Sequence, residues 1–452
     1  MDNLIQKYNV QGPRYTSYPT VPFWKNPELN ENLWIDSIER NLSTFQSNEI
    51  SLYVHLPFCE SLCTFCGCHK RITKNHAVEK PYIDSVIKEW ELYKSNLNFD
   101  SNIKELHFGG GTPTFFRAEE LHRLLISIFN TESVDPKKVE LSFEAHPNNT
   151  SSSHLQTLFD FGFRRLSLGI QDYSPIVQKA INRVQSFEQV KRVHDAAKKM
   201  GYQSISHDLV FGLPKQTLND IIDSIDKTLA LRPDRISLYS YAHVPWIKGN
   251  GQRGYDEKDL PQSNEKRKLY ETAKTMLLDA GYLEIGMDHF ALPNDSLALA
   301  FKSKTLHRNF MGYTTQKTNL LIGLGMSAIS DSWFGFAQNE KSLAAYQERV
   351  NRNEIPVVRG HILSEIDLEI RQYILDLMCH FETELELDSQ NADLFPEIIH
   401  QLQPMIADGL VKVEGNVVSI TPVGIPFVRN CCMAFDQSLK TDLKETVFSK
   451  TI

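Results

Sequence analysis

The chain has 452 residues, 56 acidic side chains against 48 Lys and Arg, a formal net charge of −8 and 41% hydrophobic residues. That length supports two or three domains with a substantial core, and the mild acidic excess argues against a protein that coats nucleic acid or an anionic membrane. No apolar run approaches a membrane-spanning length, residues 1–10 lack a signal peptide's hydrophobic stretch, and seven cysteines, four of them within 59–68, do not make a secreted disulfide framework. A cytoplasmic protein with a cysteine-ligated site is therefore expected.

Residues 1–49 precede the first strand candidate, yet QGPRYTSYPT (11–20) is too rich in Tyr, Pro and hydroxyls for a disordered leader; an N-terminal lid is expected here. From 50 to 245, short apolar runs predict strands at 50–56, 105–108, 139–143, 165–169, 204–211 and 235–241. Helices between them are marked by Ile83, Val86, Ile87 and Trp90, then by Leu121, Leu124, Leu125 and Ile128. Leu155, Leu158 and Phe159, then Val190, Val193 and Ala197, then Ile222, Ile225 and Leu229 mark three more. Six βα repeats predict an α/β fold with a parallel sheet, open or closed into a barrel. Each strand runs into a polar or glycine-rich segment: the cysteine loop, GGGTP, EAHP, GIQD, FGLP and YAHVP. Such endings converge on one mouth, where parallel-sheet proteins carry their sites.

After Pro245 the pattern loosens. A helix near 269–280 is followed by GMDHFALP (286–293) and LHRNFMGYTTQ (306–316); the latter has no helical period and reads as a functional loop or an irregular connection. Between about 364 and 427, a helix opening at Ser364 with Asp367 three residues on, a second helix at 396–407 and a hairpin from 410–413 and 417–420 trace a winged-helix outline. The second helix contains no Lys or Arg, so nucleic acid is not an expected partner and packing against the barrel is. The expected division is 1–49, a covering segment; 50–245, the core barrel; 246–362, a barrel-completing extension with substrate and cofactor loops; and 363–452, a mostly helical winged-helix-like domain.

The loop Cys59-Glu-Ser-Leu-Cys63-Thr-Phe-Cys66-Gly-Cys68 is the densest chemical signal. Thiolates at this spacing bind a soft metal or an iron–sulfur cluster. A structural zinc usually draws on two separated cysteine pairs, whereas CxxxCxxC offers three thiolates and leaves one iron of a four-iron cluster open to another ligand.

Three cysteines so spaced after a first strand, followed by GGGTP, resemble the radical S-adenosylmethionine superfamily. Within it, PRYTSYPT, YVHLPFCESLCTFCGC, HFGGGTPTF, LSLGIQD, DLVFGLPKQT, YAHVP, GMDHFA, LHRNFMGYTT and GLGMSAIS are similar to the oxygen-independent coproporphyrinogen III oxidases, over nearly the whole chain. The resemblance implies a partial (β/α)6 TIM-like barrel in which Cys59, Cys63 and Cys66 hold a [4Fe-4S] cluster, with Cys68 not a ligand. It implies S-adenosyl-L-methionine, in two copies, with Tyr53, Phe65, Gly110, Gly111, Thr112, Glu144, Gln171, Arg183, Asp208, Ala242 and Ile329 as binding positions. The glycines are expected to let the backbone approach the methionine end of the cofactor. His146 and His207 depart from the family's pattern; each either tunes a local charge or simply packs.

The implied reaction converts two propionates of coproporphyrinogen III to vinyl groups through a 5′-deoxyadenosyl radical, with a low-potential donor such as flavodoxin or ferredoxin and a monomeric enzyme. A substrate with several carboxylates calls for cations, and Arg14 and Arg308 are the candidates. A haem-binding or haem-delivery protein on the same scaffold is the main rival, and the PRYTSYPT segment favours the enzyme, because a radical needs covering. A zinc-containing winged-helix regulator and a radical enzyme acting on another tetrapyrrole are the other readings.

Overall fold

The structure, a computed structural model, describes residues 2–24, 29–97, 101–245, 251–252, 254–386, 394–440 and 448–451. Six strands pair in parallel in chain order: β1 (Glu49–Leu56), β2 (Asn102–Gly110), β3 (Glu140–Ala145), β4 (Arg165–Gln171), β5 (Ser204–Phe211) and β6 (Arg235–Ser240). The connecting helices are α1 (Glu79–Leu97), α2 (Ala118–Phe129), α3 (Ser152–Phe161), α4 (Pro175–Ala180), α5 (Phe187–Met200) and α6 (Leu218–Leu231). Only α4 had no periodic signal; six residues are too few to show one. Capping boxes at Ser186–Gln189 and Thr217–Asp220 satisfy the first amides of α5 and α6 and set where the chain enters each helix.

The alternation along each strand explains both the core and the site. In β4, Leu166, Leu168 and Ile170 are buried while Ser167, Gly169 and Gln171 stay half-buried. The buried set joins Leu52, Val54, Phe108, Phe143, Ile205 and Leu238 in one core beneath the helices. Each such side chain contributes about 1.5–3 kcal/mol on burial. The opposite face is polar: the register sets Glu144 beside Ser167, Gly169 beside Asp208 and Asp208 beside Ser237. A polar inner face keeps the interior from closing as a dry core.

Beyond β6 the sheet continues, where the sequence pattern had loosened. β7 (Leu283–Gly286) and β8 (His289–Ala291) add antiparallel strands beside β6. A hairpin of β9 (His307–Asn309) and β10 (Gly312–Thr314) stands apart from the sheet. β11 (Leu321–Leu324) pairs in parallel with the free side of β1, followed by antiparallel β12 (Ile329–Asp331), β13 (Gly335–Asn339) and β14 (Val357–Ile362). The order is β14-β13-β12-β11-β1-β2-β3-β4-β5-β6-β8-β7, so the parallel part is flanked on both sides by antiparallel strands and does not close on itself. LHRNFMGYTTQ is thus a hairpin, not an irregular connection. Its strands are only three residues long, and its side chains find partners deep in the chain: Thr314 Oγ1 donates to Glu105 at 2.9 Å and Tyr313 Oη to the Met378 carbonyl at 2.9 Å.

Helices α7 (Ser263–Asp279), α8 (Glu365–His380), α9 (Leu394–Ala407) and α10 (Val428–Phe435) follow, the last three with β15 (Glu382–Glu384), β16 (Val411–Glu414) and β17 (Val417–Ile420) in the order β15-β17-β16. The Ser364–Asp367 capping box opens α8 where the sequence placed it. Tyr15 and Tyr18, 3% and 2% exposed, belong to the same core as Ile370, Leu377, Leu402, Val418 and Phe427. Arg429 donates to the carbonyls of Gly12 and Pro13, and Tyr15 Oη to Asp436. The N-terminal segment is therefore bound into the C-terminal elements instead of hanging free over the mouth. The 245/246 boundary abuts residues 246–250, which lie outside the described residues. Among the described residues no helix is long and apolar enough to cross a membrane.

Candidate active site

The cysteine loop leaves the end of β1 and is pinned from the far side. Thr64 donates from its amide to the Ile181 carbonyl at 2.9 Å and from Oγ1 to the Ala180 carbonyl at 3.0 Å. Asn182 Nδ2 donates to the Leu62 carbonyl at 2.7 Å, and Gln252 Nε2 to the carbonyls of Phe65 and Ala242 at 3.1 and 3.0 Å. Lys70 Nζ donates to the carbonyls of Cys66 and Cys68. So held, Cys59, Cys63, Cys66 and Cys68 line one cleft of about 330 Å³; the first three are half-buried, while Cys68 is exposed. Burial pushes the Cys59 thiol up to about 11, whereas a hydrogen bond with Cys68, aided by Lys70, brings Cys66 down to about 6. Three half-buried thiols of one loop, lining one cleft, suit a cluster in which each takes a different iron.

The floor and opposite wall come from the strand ends. Thr112 Oγ1 lies 3.4 Å from Cys59 Sγ. Gly110 has φ of +113°, and a Cβ there would sit 2.6 Å from the His55 ring; one on Gly111 would sit 2.6 Å from the Pro57 carbonyl. The glycine requirement therefore arises within the chain, where β2 must pass under the end of β1, and not only from the approach of a ligand. Glu144 Oε2 accepts from the Gly110 amide at 3.3 Å. Asp208 accepts from Ser167 Oγ at 2.6 Å, and burial, with Glu144 nearby, raises its carboxyl to about 6. Gln171, at φ +71°, lines the same cleft.

Arg183 reaches across to the cysteines: its Nη1 lies 3.8 Å from Cys63 Sγ, its Nη2 donates to the Gly169 carbonyl, and its Nε is buried with no partner. An orphaned N–H on a guanidinium that lines a cleft together with four thiols and the carboxylates of Glu60, Glu144 and Asp208 fits an anionic group on a bound cofactor. The donor set thus fits a cluster and an amino-acid-bearing ligand together.

Residues 53–228 match the family model of the radical SAM superfamily. Along its full length the chain is 37% identical to the oxygen-independent coproporphyrinogen III oxidase of Pseudomonas aeruginosa, covering 98% of that protein. The chain belongs to the oxygen-independent coproporphyrinogen III oxidase family. The Escherichia coli member is also 37% identical over 99% of this chain and 98% of its own. A solved structure of coproporphyrinogen III oxidase from Escherichia coli, described as a radical SAM enzyme, superposes with a TM-score of 0.88 at 34% identity over 97% of this chain and 98% of that one.

Of the positions carried over from this oxidase family, Cys59, Cys63, Cys66, Phe65, Gly110, Gly111, Thr112, Glu144, Gln171, Arg183 and Asp208 line the cleft together. Tyr53 lies just beneath it: a Cβ on Gly109 would meet its ring at 2.9 Å and Glu144 Oε1 at 3.1 Å. Ala242 does not line it; its carbonyl accepts from Gln252 Nε2, which also donates to the carbonyl of Phe65. Ile329 packs by Trp24, Phe336 and Leu363 and does not line it. Arg14 pairs with Asp288 at 3.3 Å and with the Ser240 carbonyl, while Arg308, 7% exposed, donates to the Tyr15 carbonyl and leaves Nη1 unpartnered. His146 accepts the Asn148 amide in a turn at the cleft rim, and His207 faces outward to His194. Lys70, Tyr239, Asn182 and Gln252 escaped sequence reasoning; only Lys70 and Asn182, adjacent to motif residues, carried any signal.

Proposed function

We propose that this protein carries out the anaerobic oxidative decarboxylation of two propionate side chains of coproporphyrinogen III to vinyl groups, yielding protoporphyrinogen IX for haem synthesis. The observation that carries the reading is the cleft in which Cys59, Cys63 and Cys66 meet the buried, unpartnered Nε of Arg183. When bound, a [4Fe-4S] cluster and S-adenosyl-L-methionine supply a carbon radical able to take a hydrogen from the propionate. The chain's own part is to bind, orient and cover. Cys59, Cys63 and Cys66 would hold the cluster, Arg183 the methionine carboxylate, Glu144 its ammonium and Asp208 the ribose hydroxyls, with Phe65 over the adenine. Tyr53, Ala242 and Ile329 would complete the cofactor-binding positions, which serve two copies in all.

Arg308 is suited to a substrate carboxylate because its buried Nη1 is left without a partner, and Arg14 joins it from the N-terminal segment. On this reading residues 50–245 carry the core of the cofactor chemistry, 246–362 complete the sheet and add substrate and cofactor loops, 1–49 cover the substrate, and 363–452 form the winged-helix-like domain. We further propose a monomer in the cytoplasm, reduced by a flavodoxin- or ferredoxin-type donor; seven free cysteines suit a reducing compartment. A haem-delivery role is less well supported, since a radical needs covering and the Tyr15–Tyr18 segment, fixed in the C-terminal core, suits that part. The test is an oxygen-free assay of reconstituted protein with coproporphyrinogen III, S-adenosylmethionine and a strong reductant. Divinyl product is expected; intact cluster and cofactor cleavage without product overturns the reading.

A further inference from the structure

Beside the cleft lies a second, smaller cavity of about 60 Å³ with charged side chains on its walls. Four cations line it; apart from Arg267, which Glu271 holds, they come from distant parts of the chain: Arg14 of the N-terminal segment, Lys266 of α7 and Arg429 of α10. The partners of these three are nearly all neutral. Lys266 Nζ donates to the Tyr241 carbonyl at 2.8 Å. Arg429 donates to the carbonyls of Gly12, Pro13 and Thr451 at 2.6, 2.9 and 3.1 Å. Arg14 pairs with Asp288, the one carboxylate that all three feel. The other acids nearby are engaged: Glu284 binds Lys274 at 2.7 Å and Tyr270, and Glu271 binds Arg267. Among the described residues the cavity therefore holds more positive than negative charge, and burying cations without counter-charge is costly. Burial and mutual repulsion show in the groups themselves, drawing Lys266 down to about 8 and Arg429 to about 9.

The position of this cavity connects it to the cofactor cleft. Tyr239 lines the cleft, the Ser240 carbonyl receives Arg14 and the Tyr241 carbonyl receives Lys266, three successive residues at the end of β6. We propose that Lys266 and Arg429, with Arg14, form a carboxylate anchor that takes a propionate of the tetrapyrrole other than the one being converted. Resting on the function proposed above, the anchor deepens it: a molecule with several equivalent side chains must be fixed by those that do not react, so that one β-carbon faces the radical.

The experiment compares reconstituted wild-type protein with the Lys266→Gln and Lys266→Arg variants in KM and kcat for coproporphyrinogen III. Equilibrium binding is measured in parallel, by fluorescence, for coproporphyrin III, for its tetramethyl ester and for S-adenosylmethionine. Lys266→Gln is expected to raise KM and weaken coproporphyrin III binding about tenfold, the loss of one charge-assisted bond. Lys266→Arg should recover most of it, while ester and S-adenosylmethionine binding stay unchanged. Unchanged coproporphyrin III binding overturns the anchor, as does an equal loss for the ester or for S-adenosylmethionine. Wild-type protein supplies a check free of any folding defect: coproporphyrin III should shield the Lys266 amine from acetylation read by mass spectrometry, and no shielding overturns the proposal. The binding and shielding arms need no turnover, so failure of the anchor is distinguishable from failure of the reaction itself.

Discussion

Arg183 and Cys63 tie the far wall of the cleft to the cysteine loop: the guanidinium Nη1 stands 3.8 Å from Cys63 Sγ while Nη2 grips the Gly169 carbonyl at the end of β4. One planar side chain thus spans a thiol and a strand end, leaving Nε free for a ligand. A lysine has the charge but not the fork. Arg183→Lys is expected to keep its iron and lose S-adenosylmethionine affinity by about 2 kcal/mol, some thirtyfold. Equilibrium dialysis of the reconstituted variant checks this; unchanged affinity would remove Arg183 from the cofactor contacts.

The four loop cysteines should separate three to one. All four line the cleft, but Cys59, Cys63 and Cys66 are half-buried whereas Cys68 is exposed. Serine at any of the first three should abolish cluster incorporation, whereas Cys68→Ser should retain the wild-type iron and sulfide content. Chemical iron analysis after oxygen-free reconstitution reads the difference.

Gly110 tests the claim that the glycine run serves the chain itself. Alanine there faces both a left-handed backbone and a contact at 2.6 Å with the His55 ring. A loss of about 2–3 kcal/mol is expected in cluster-free protein, measured by denaturant unfolding. Full stability with lost cofactor binding would assign the glycine to the ligand alone.

The buried pair His194 and His207, Nδ1 to Nε2 at 3.0 Å, sets an acid limit. Burial lowers both, His194 to about 4 and His207 well below its ordinary value of 6.5. Below pH 6.5 the unfolded chain takes up protons that the folded chain refuses, so their contribution to stability is intact above pH 6.5 and is lost progressively as pH falls toward 4. A His194→Leu/His207→Leu variant should show a shallower fall of the urea midpoint across that window; an unaltered slope would show that the pair is not the source.

From the sequence alone one could read the six parallel strands, five of their helices, the Ser364 cap and the cysteine loop. These follow from local rules, because a strand with one face on a helix layer must alternate and a helix must show its period. Tertiary structure decided what short-range pattern cannot encode. The β9–β10 hairpin is held by Glu105 and Met378, far away in sequence, and β11 pairs with β1 across more than half the chain. The segment around Tyr15 and Tyr18 finds its core in helices near the other terminus. Likewise the sequence marked Arg14 as a cation but could not show that Lys266 and Arg429 stand beside it, because charge is a property of each residue whereas its neighbours are set by how the chain closes in space.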